Sequence, residues 1–181
     1  MKKNVLIGVC GGISSYKTAE LVRLLVKDGF AVKIMMTLAA EKFVTPLVFQ
    51  TLSKNSVYID MFGLYEENTQ HIALADWAEV CVLAPLSANT LSKVSLGICD
   101  NLLTTVVCAL PKSTKVLLAP AMNDNMWNNQ IIKENVKKLK AMKKYIFLPG
   151  AEGELACGAY GQGRMAEARD ISKHIKLLFK R

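Results

Sequence analysis

The chain lacks most of the residue patterns that announce a site outright. Its five cysteines, Cys10, Cys81, Cys99, Cys108 and Cys157, contain no CxxC spacing, and no histidine cluster stands beside them. That argues against structural zinc, and no metal is expected. Neither GxGxxG nor GxxxxGK[ST] occurs, so the standard dinucleotide fingerprint and the P-loop are both missing. The apolar run from Asn4 to Val9 stops at glycine and is too short to cross a membrane. No cleavage-site pattern follows it. Internal repeats, linkers and low-complexity tracts are absent as well. Thiols without a disulfide pattern, in a chain with no export signal, point to the cytoplasm.

The net charge of +8 raises the question of nucleic acid. The lysines are dispersed, however, and no aromatic residues interleave with them. Their densest group, Lys137, Lys138, Lys140, Lys143 and Lys144, falls at the end of a predicted helix, where cations answer the helix dipole. The charge is better suited to anionic metabolites than to nucleic acid.

Hydrophobic residues make up 51% of the 181 and charged residues 21%, enough for one compact domain over 1–181. Val5–Val9, Ala31–Met36, Val80–Ala84, Lys115–Ala119 and Tyr145–Leu148 read as strands. Helical patterns follow them. The first is capped by Ser14 or Ser15 and ends at Gly29; others cover Phe43–Leu52, Asn101–Leu110, Asn128–Met142 and Ile171–Phe179. A polar turn over Leu86–Thr90 opens a further helix. Asn55–Gln70 is irregular and polar and predicts no element, and Glu152–Arg164 reads as a loop. The alternation predicts a three-layer α/β/α, Rossmann-like fold around a mostly parallel sheet.

In such sheets ligands sit beyond the carboxyl ends of the strands. The unusual segments all fall there: Gly11-Gly12-Ile13-Ser14, Thr37, Pro85–Thr90 and Pro120–Trp127. The glycine turn has backbone amides that suit one phosphate, and equally reads as a plain tight turn. Ser87, Ala88, Asn89 and Thr90 combine hydroxyls and an amide at a helix start, which also makes a good N-cap without any ligand. Pro120–Trp127 mixes methionine, asparagine and tryptophan, and Met126 and Trp127 can plug the core. Four of the cysteines lie in apolar runs and read as small buried residues; Cys157 sits among glycines and polar residues.

His71, Pro85–Thr90, Pro120–Trp127 and Ala156-Cys157-Gly158 with Gly161–Met165 occur in that order. In this the chain resembles the flavin-dependent cysteine decarboxylases, over nearly its whole length, and most of all the branch that acts on 4'-phosphopantothenoyl-cysteine in coenzyme A synthesis. The resemblance implies a flavoprotein fold that holds FMN with Gly11, Gly12, Ile13, Thr37, Ser87, Ala88, Asn89, Thr90 and Ala121. It implies His71 and Cys157 as catalytic residues, Cys157 on a flap, and Asn123, Met126, Ala156, Arg164 and Met165 around the substrate. Gly12 stands where relatives commonly carry a hydroxyl residue, and Leu38-Ala39-Ala40 where some carry a serine-bearing turn. A homotrimer, or a dodecamer of trimers, with active sites at subunit boundaries is also implied. In many bacteria such a decarboxylase is fused to a synthetase; the sequence stops shortly after the helix that follows the flap, so no fused synthetase domain is expected here.

The implied chemistry oxidises the substrate's CH2–SH to a thioaldehyde, places the carboxylate β to C=S so that CO2 leaves, and re-reduces the enethiol. Three other readings stand beside it. One is oxidative decarboxylation of a peptide C-terminal cysteine, which has no need of Cys157. Another is flavin prenyl transfer, which the Pro120–Trp127 segment fits poorly. The last is a non-catalytic FMN-binding regulator, against which His71 counts.

Overall fold

The computed structural model describes residues 3–62, 70–148, 150 and 163–180, together with the backbone of 153–154 and 160–161. Six parallel strands form its sheet: β1 (Asn4–Val9), β2 (Ala31–Met36), β3 (Val57–Tyr58), β4 (Val80–Leu86), β5 (Lys115–Pro120) and β6 (Tyr145–Phe147). Their order is β3-β2-β1-β4-β5-β6, the doubly wound arrangement. The helices are α1 (Ser15–Lys27), α2 (Pro46–Ser53), α3 (Gln70–Trp77), α4 (Ala88–Leu96), α5 (Leu102–Ala109), α6 (Asp124–Asn128), α7 (Gln130–Ala141) and α8 (Ala168–Leu178). A small antiparallel hairpin, β7 (Gly153–Glu154) with β8 (Tyr160–Gly161), lies within the segment read as a loop.

Strand alternation divides the core in two. Val5, Ile7 and Val9 of β1 point to one face, with Leu21, Val22 and Leu25 of α1 and Ile171 and Ile175 of α8. Leu6 and Cys10 point to the other, with Leu74 of α3, Leu91 of α4, Leu103 and Val106 of α5 and Val136 of α7. A central parallel strand buried on both faces has to be apolar at every position, and β1 is buried from Val5 onward. Gly8 is small because α5 lies directly on it: an added Cβ would stand 2.6 Å from Leu83 Cδ2 and 2.9 Å from Leu103 Cδ1.

Several boundaries differ from the sequence reading. β4 continues through Pro85 to Leu86, and β3 lies inside the segment that predicted no element. α3 was likewise not predicted. At eight residues it is too short to hold by itself, and it forms by burying Leu74 and Ala75 on the second core. Phe43 stays outside α2, which begins at Pro46, and is preceded by a 3-10 turn over Ala40–Lys42. The predicted helix at Asn128–Met142 is interrupted at Asn129, whose side chain caps α7 by accepting from Ile131 N–H. Helix α8 begins at Ala168, three residues before the predicted start. Cys10 and Cys81 are buried as expected, whereas Cys99 and Cys108 are exposed. Cys99 lies in the turn after α4, and Cys108 takes the outward face of α5 while Leu103, Val106 and Val107 turn inward.

Candidate functional site

The carboxyl ends of β1, β2, β4 and β5 are tied to one another by hydrogen bonds. Thr37 N–H donates to Val9 O at 3.0 Å, Cys10 N–H to Pro85 O at 3.2 Å, and Ala121 N–H to Leu86 O at 3.0 Å. Between Leu83 and Leu86 the β4–β5 register shifts, an irregularity that re-aims the chain where it leaves the sheet. Gly11, Thr37, Ser87 and Ala121 therefore share a single edge, as the sequence predicted.

The turn after β1 is held by Ser15, whose hydroxyl donates to Gly12 O at 2.6 Å or to Cys10 O at 3.0 Å. Ser14 takes the N-cap position of α1 but makes no capping bond with its side chain. The first amides of α1 are thus left without a side-chain cap. Gly11 packs against the chain after β2: an added Cβ would stand 2.6 Å from Ala39 Cβ and 3.0 Å from Ala39 C. At Gly12 a Cβ would meet nothing within 4 Å, so the position has room for a side chain. Ile13 is 56% exposed and Leu38 74%, which leaves apolar side chains open to solvent beside a polar turn. Thr37 turns its hydroxyl toward Ala40 N–H, 3.3 Å away.

At the start of α4, Ser87 Oγ accepts from Thr90 N–H and donates to Thr90 Oγ1, both at 3.3 Å. Ala88 and Thr90 are buried, and Asn89 is exposed. Ser87 and Thr90 border the Cys10 thiol and favour its charged form, but burial outweighs them and pushes its pKa up. A neutral thiol thus joins the hydroxyl pair. The sequence reading took Cys10 as core only; its position one residue past β1, at the ligand edge, was the available signal.

Beyond β5, Asn123 caps α6 by accepting from Asn125 N–H at 2.9 Å. With that bond orienting the amide, its NH2 is the group that can donate to a carboxylate. Met122 and Trp127 pack on the second core, whereas Met126 is 48% exposed and does not plug it. Met122 N–H donates to Gly163 O at 3.0 Å, so the chain returning from the hairpin meets the edge here. Arg164 lies 3.7 Å from Glu167, which also holds Lys17 at 2.7 Å. Met165 is only 1% exposed and fills the first core.

His71 is half-buried in the first turn of α3. The carbonyl of Trp77, at the far end of that helix, accepts from Asn4 Nδ2 at the start of β1. Six residues of helix rise about 9 Å, which carries His71 up the second face toward the ligand edge. Its neighbour Gln70 is 7% exposed, and neither side-chain heteroatom finds a partner among the described residues. Ala156 and Cys157 lie outside the described residues.

The family model described as Flavoprotein matches residues 1–180. The chain belongs to this family. It is 43% identical, over 96% of its length, to the coenzyme A biosynthesis bifunctional protein CoaBC of Borreliella burgdorferi, but spans only 44% of that relative. It is 41% identical to a probable phosphopantothenoylcysteine decarboxylase of Streptococcus mutans, covering 97% of this chain and 98% of the relative. Among solved structures, a cysteine-to-serine variant of PPC decarboxylase complexed with pantothenoylaminoethenethiol matches with TM-score 0.88 and 30% identity, over the whole of both chains. The FMN binding protein AtHal3 matches with TM-score 0.84 and 31% identity, over 99% of this chain and 98% of that one.

Proposed function

We propose that the chain decarboxylates 4'-phosphopantothenoyl-L-cysteine to 4'-phosphopantetheine and CO2 with FMN as cofactor, and that residues 1–181 act as one catalytic domain. The observation that carries this reading is the convergence of Pro85–Thr90, Pro120–Trp127 and Gly163 on one edge through Ala121–Leu86 and Met122–Gly163 hydrogen bonds. The likeness to the Streptococcus mutans relative, end to end, supports it.

The residues present fit FMN. Amides of the Gly11-Gly12-Ile13 turn and the start of α1 suit its phosphate, and exposed Ile13 offers an apolar surface to a flat ring. Thr37, Ser87, Ala88, Asn89, Thr90 and Ala121 supply the polar and small residues of the same edge. FMN, when bound, supplies the two-electron chemistry that an alkyl carboxylate needs before it can lose CO2, and returns the electrons to the product.

The chain's own groups bind, orient and move protons. Asn123 donates to the substrate carboxylate, which avoids burying a second charge. Met126 and Ala156 border the substrate, Arg164 meets its phosphate, and Met165 supports the wall from the core. His71 takes the proton released as the thiol-bearing carbon is oxidised. Cys157 gives its thiol proton to the enethiol carbon. That last step separates this reading from the oxidative decarboxylation of peptide cysteines, which ends at the enethiol.

The enzyme works as a homotrimer or as a dodecamer of trimers. Two features support a site completed by a second copy. The buried Gln70 amide has no partner among the described residues, and unsatisfied buried polar groups are rare. In the single chain Ile13, Leu38, Phe43 and Leu47 are all at least half exposed. The cytoplasm is the compartment this reading gives; among the described residues no helix is long and apolar enough to cross a membrane.

The test is an anaerobic assay of the FMN-reconstituted protein with 4'-phosphopantothenoyl-cysteine. CO2 and 4'-phosphopantetheine should form in equal amounts. Failure of a yellow, folded protein to release CO2 would refute the activity. CO2 from a peptide with C-terminal cysteine, and none from this substrate, would favour the peptide reading.

A further inference from the structure

The edge of the sheet opposite the candidate active site carries a groove between the end of α1 and α8. Two adjoining cavities of about 690 and 450 Å³ form it, and both are lined by Asp28, Lys176 and Lys180. Lys3, Phe30 and Phe179 complete the first, and Lys27, Arg169 and Lys173 belong to the second. Six cations thus face one carboxylate, so this groove holds much of the chain's +8 charge. Two of the cations already have partners: Lys176 pairs with Asp28 at 2.6 Å, and Lys3 donates to Phe179 O at 3.0 Å. Lys27, Arg169, Lys173 and Lys180 have no ion-pair partner among the described residues.

The groove differs from end to end. At one end the Phe30 and Phe179 rings stand 5.4 Å apart at 44°, with Lys3 Nζ 5.1 Å from the Phe179 centroid. At the other end Lys27, Arg169 and Lys173 converge without an aromatic residue. Like charges gathered around a concavity raise the potential inside it and concentrate anions there. A simple anion would use only the cationic end, and an apolar ligand only the ring end. We propose that this groove binds a nucleoside polyphosphate, its base against Phe30 and Phe179 and its phosphates among Lys27, Arg169 and Lys173. Each of the two cavities falls within the volume range of small-molecule sites. The groove lies at the opposite end of the sheet from Thr37, Ser87 and Asn123, so it does not depend on the decarboxylase reading.

The experiment is calorimetric titration of the full FMN-loaded protein with metal-free ATP, adenosine, tripolyphosphate and a short oligothymidylate. ATP should bind once per chain, at least about tenfold more tightly than adenosine or tripolyphosphate, and more weakly as salt is raised. Replacing both cations, Arg169→Ala with Lys173→Ala, should weaken ATP about tenfold and leave CO2 release unchanged. Absence of ATP binding, or equal binding by the double variant, would overturn the proposal. Tripolyphosphate binding as tightly as ATP would reduce the groove to a charge patch and overturn it too. So would tighter binding of the oligothymidylate, which would mark a nucleic-acid surface.

Discussion

Thr18 Oγ1 donates a hydrogen bond to Ala84 O at 2.7 Å, deep in the core, and so fastens α1 to β4 just before that strand reaches Pro85. Both residues are fully buried. The bond couples the turn after β1 to the turn before α4, the two segments proposed to hold FMN. Thr18→Val keeps the shape and removes the donor, which leaves a buried carbonyl unsatisfied. A loss of about 1–3 kcal/mol of stability is expected, with weaker FMN retention. Denaturant titration and flavin release together measure it; an unchanged midpoint would contradict the role.

Gly11 and Gly12 should respond differently to the same change. Gly11→Ala drives a Cβ against Ala39, main chain included, and overpacking of this kind costs about 1–3 kcal/mol. Gly12→Ala meets open space and should leave the melting temperature near that of the parent. Thermal unfolding of the two variants side by side is the check.

Burial raises the Cys81 thiol pKa to about 12, from a reference value of 9.0. Its folded pKa lies above its unfolded one, so its contribution to stability is intact below pH 9. The contribution is then lost as pH rises toward about 12, because the unfolded thiol ionises first. Cys81→Ala removes this dependence. Between pH 9 and 11 the variant's stability should fall less steeply, by up to about 1.4 kcal/mol per pH unit. Urea midpoints under reducing conditions give the slopes, and parallel slopes would refute the assignment.

His71→Asn should leave α3 and the flavin in place, since the helix is anchored by Leu74 and Ala75. Decarboxylation should fall by at least about a hundredfold, the usual reach of a positioned acid–base group. Turnover close to the parent, measured as CO2 release, would make the histidine structural.

Cys157→Ser divides the reaction in two. In the proposed reaction oxidation and loss of CO2 do not use this thiol, so one round of CO2 release should survive. A serine hydroxyl is a far weaker acid than a thiol of pKa about 8.5, so reduction of the enethiol should stall. Mass spectrometry without air should find a product two mass units lighter than phosphopantetheine. Normal phosphopantetheine yields over many turnovers would assign the proton to another group.

The main strands and the ligand edge were legible in the chain because both are local properties. An apolar run such as Val5–Val9 cannot be solvated and has to pair on both sides; the polar and glycine residues that end it mark where the sheet ends. Which residues meet across that edge was not legible. The fit of Gly11 against Ala39 and the approach of the Cys10 thiol to Ser87 and Thr90 join positions far apart in sequence. β3 was missed because a two-residue strand carries almost no periodic signal, and α3 because its apolar residues, unlike those of α2 and α5, keep to no single helix face. They exist only because β2 offers an edge and the second core offers an apolar surface. Cys99 and Cys108 show the same limit. Apolar neighbours imply burial, but a residue's place on the helix surface and the direction of a turn decide exposure, and only packing of the helices onto the sheet sets those.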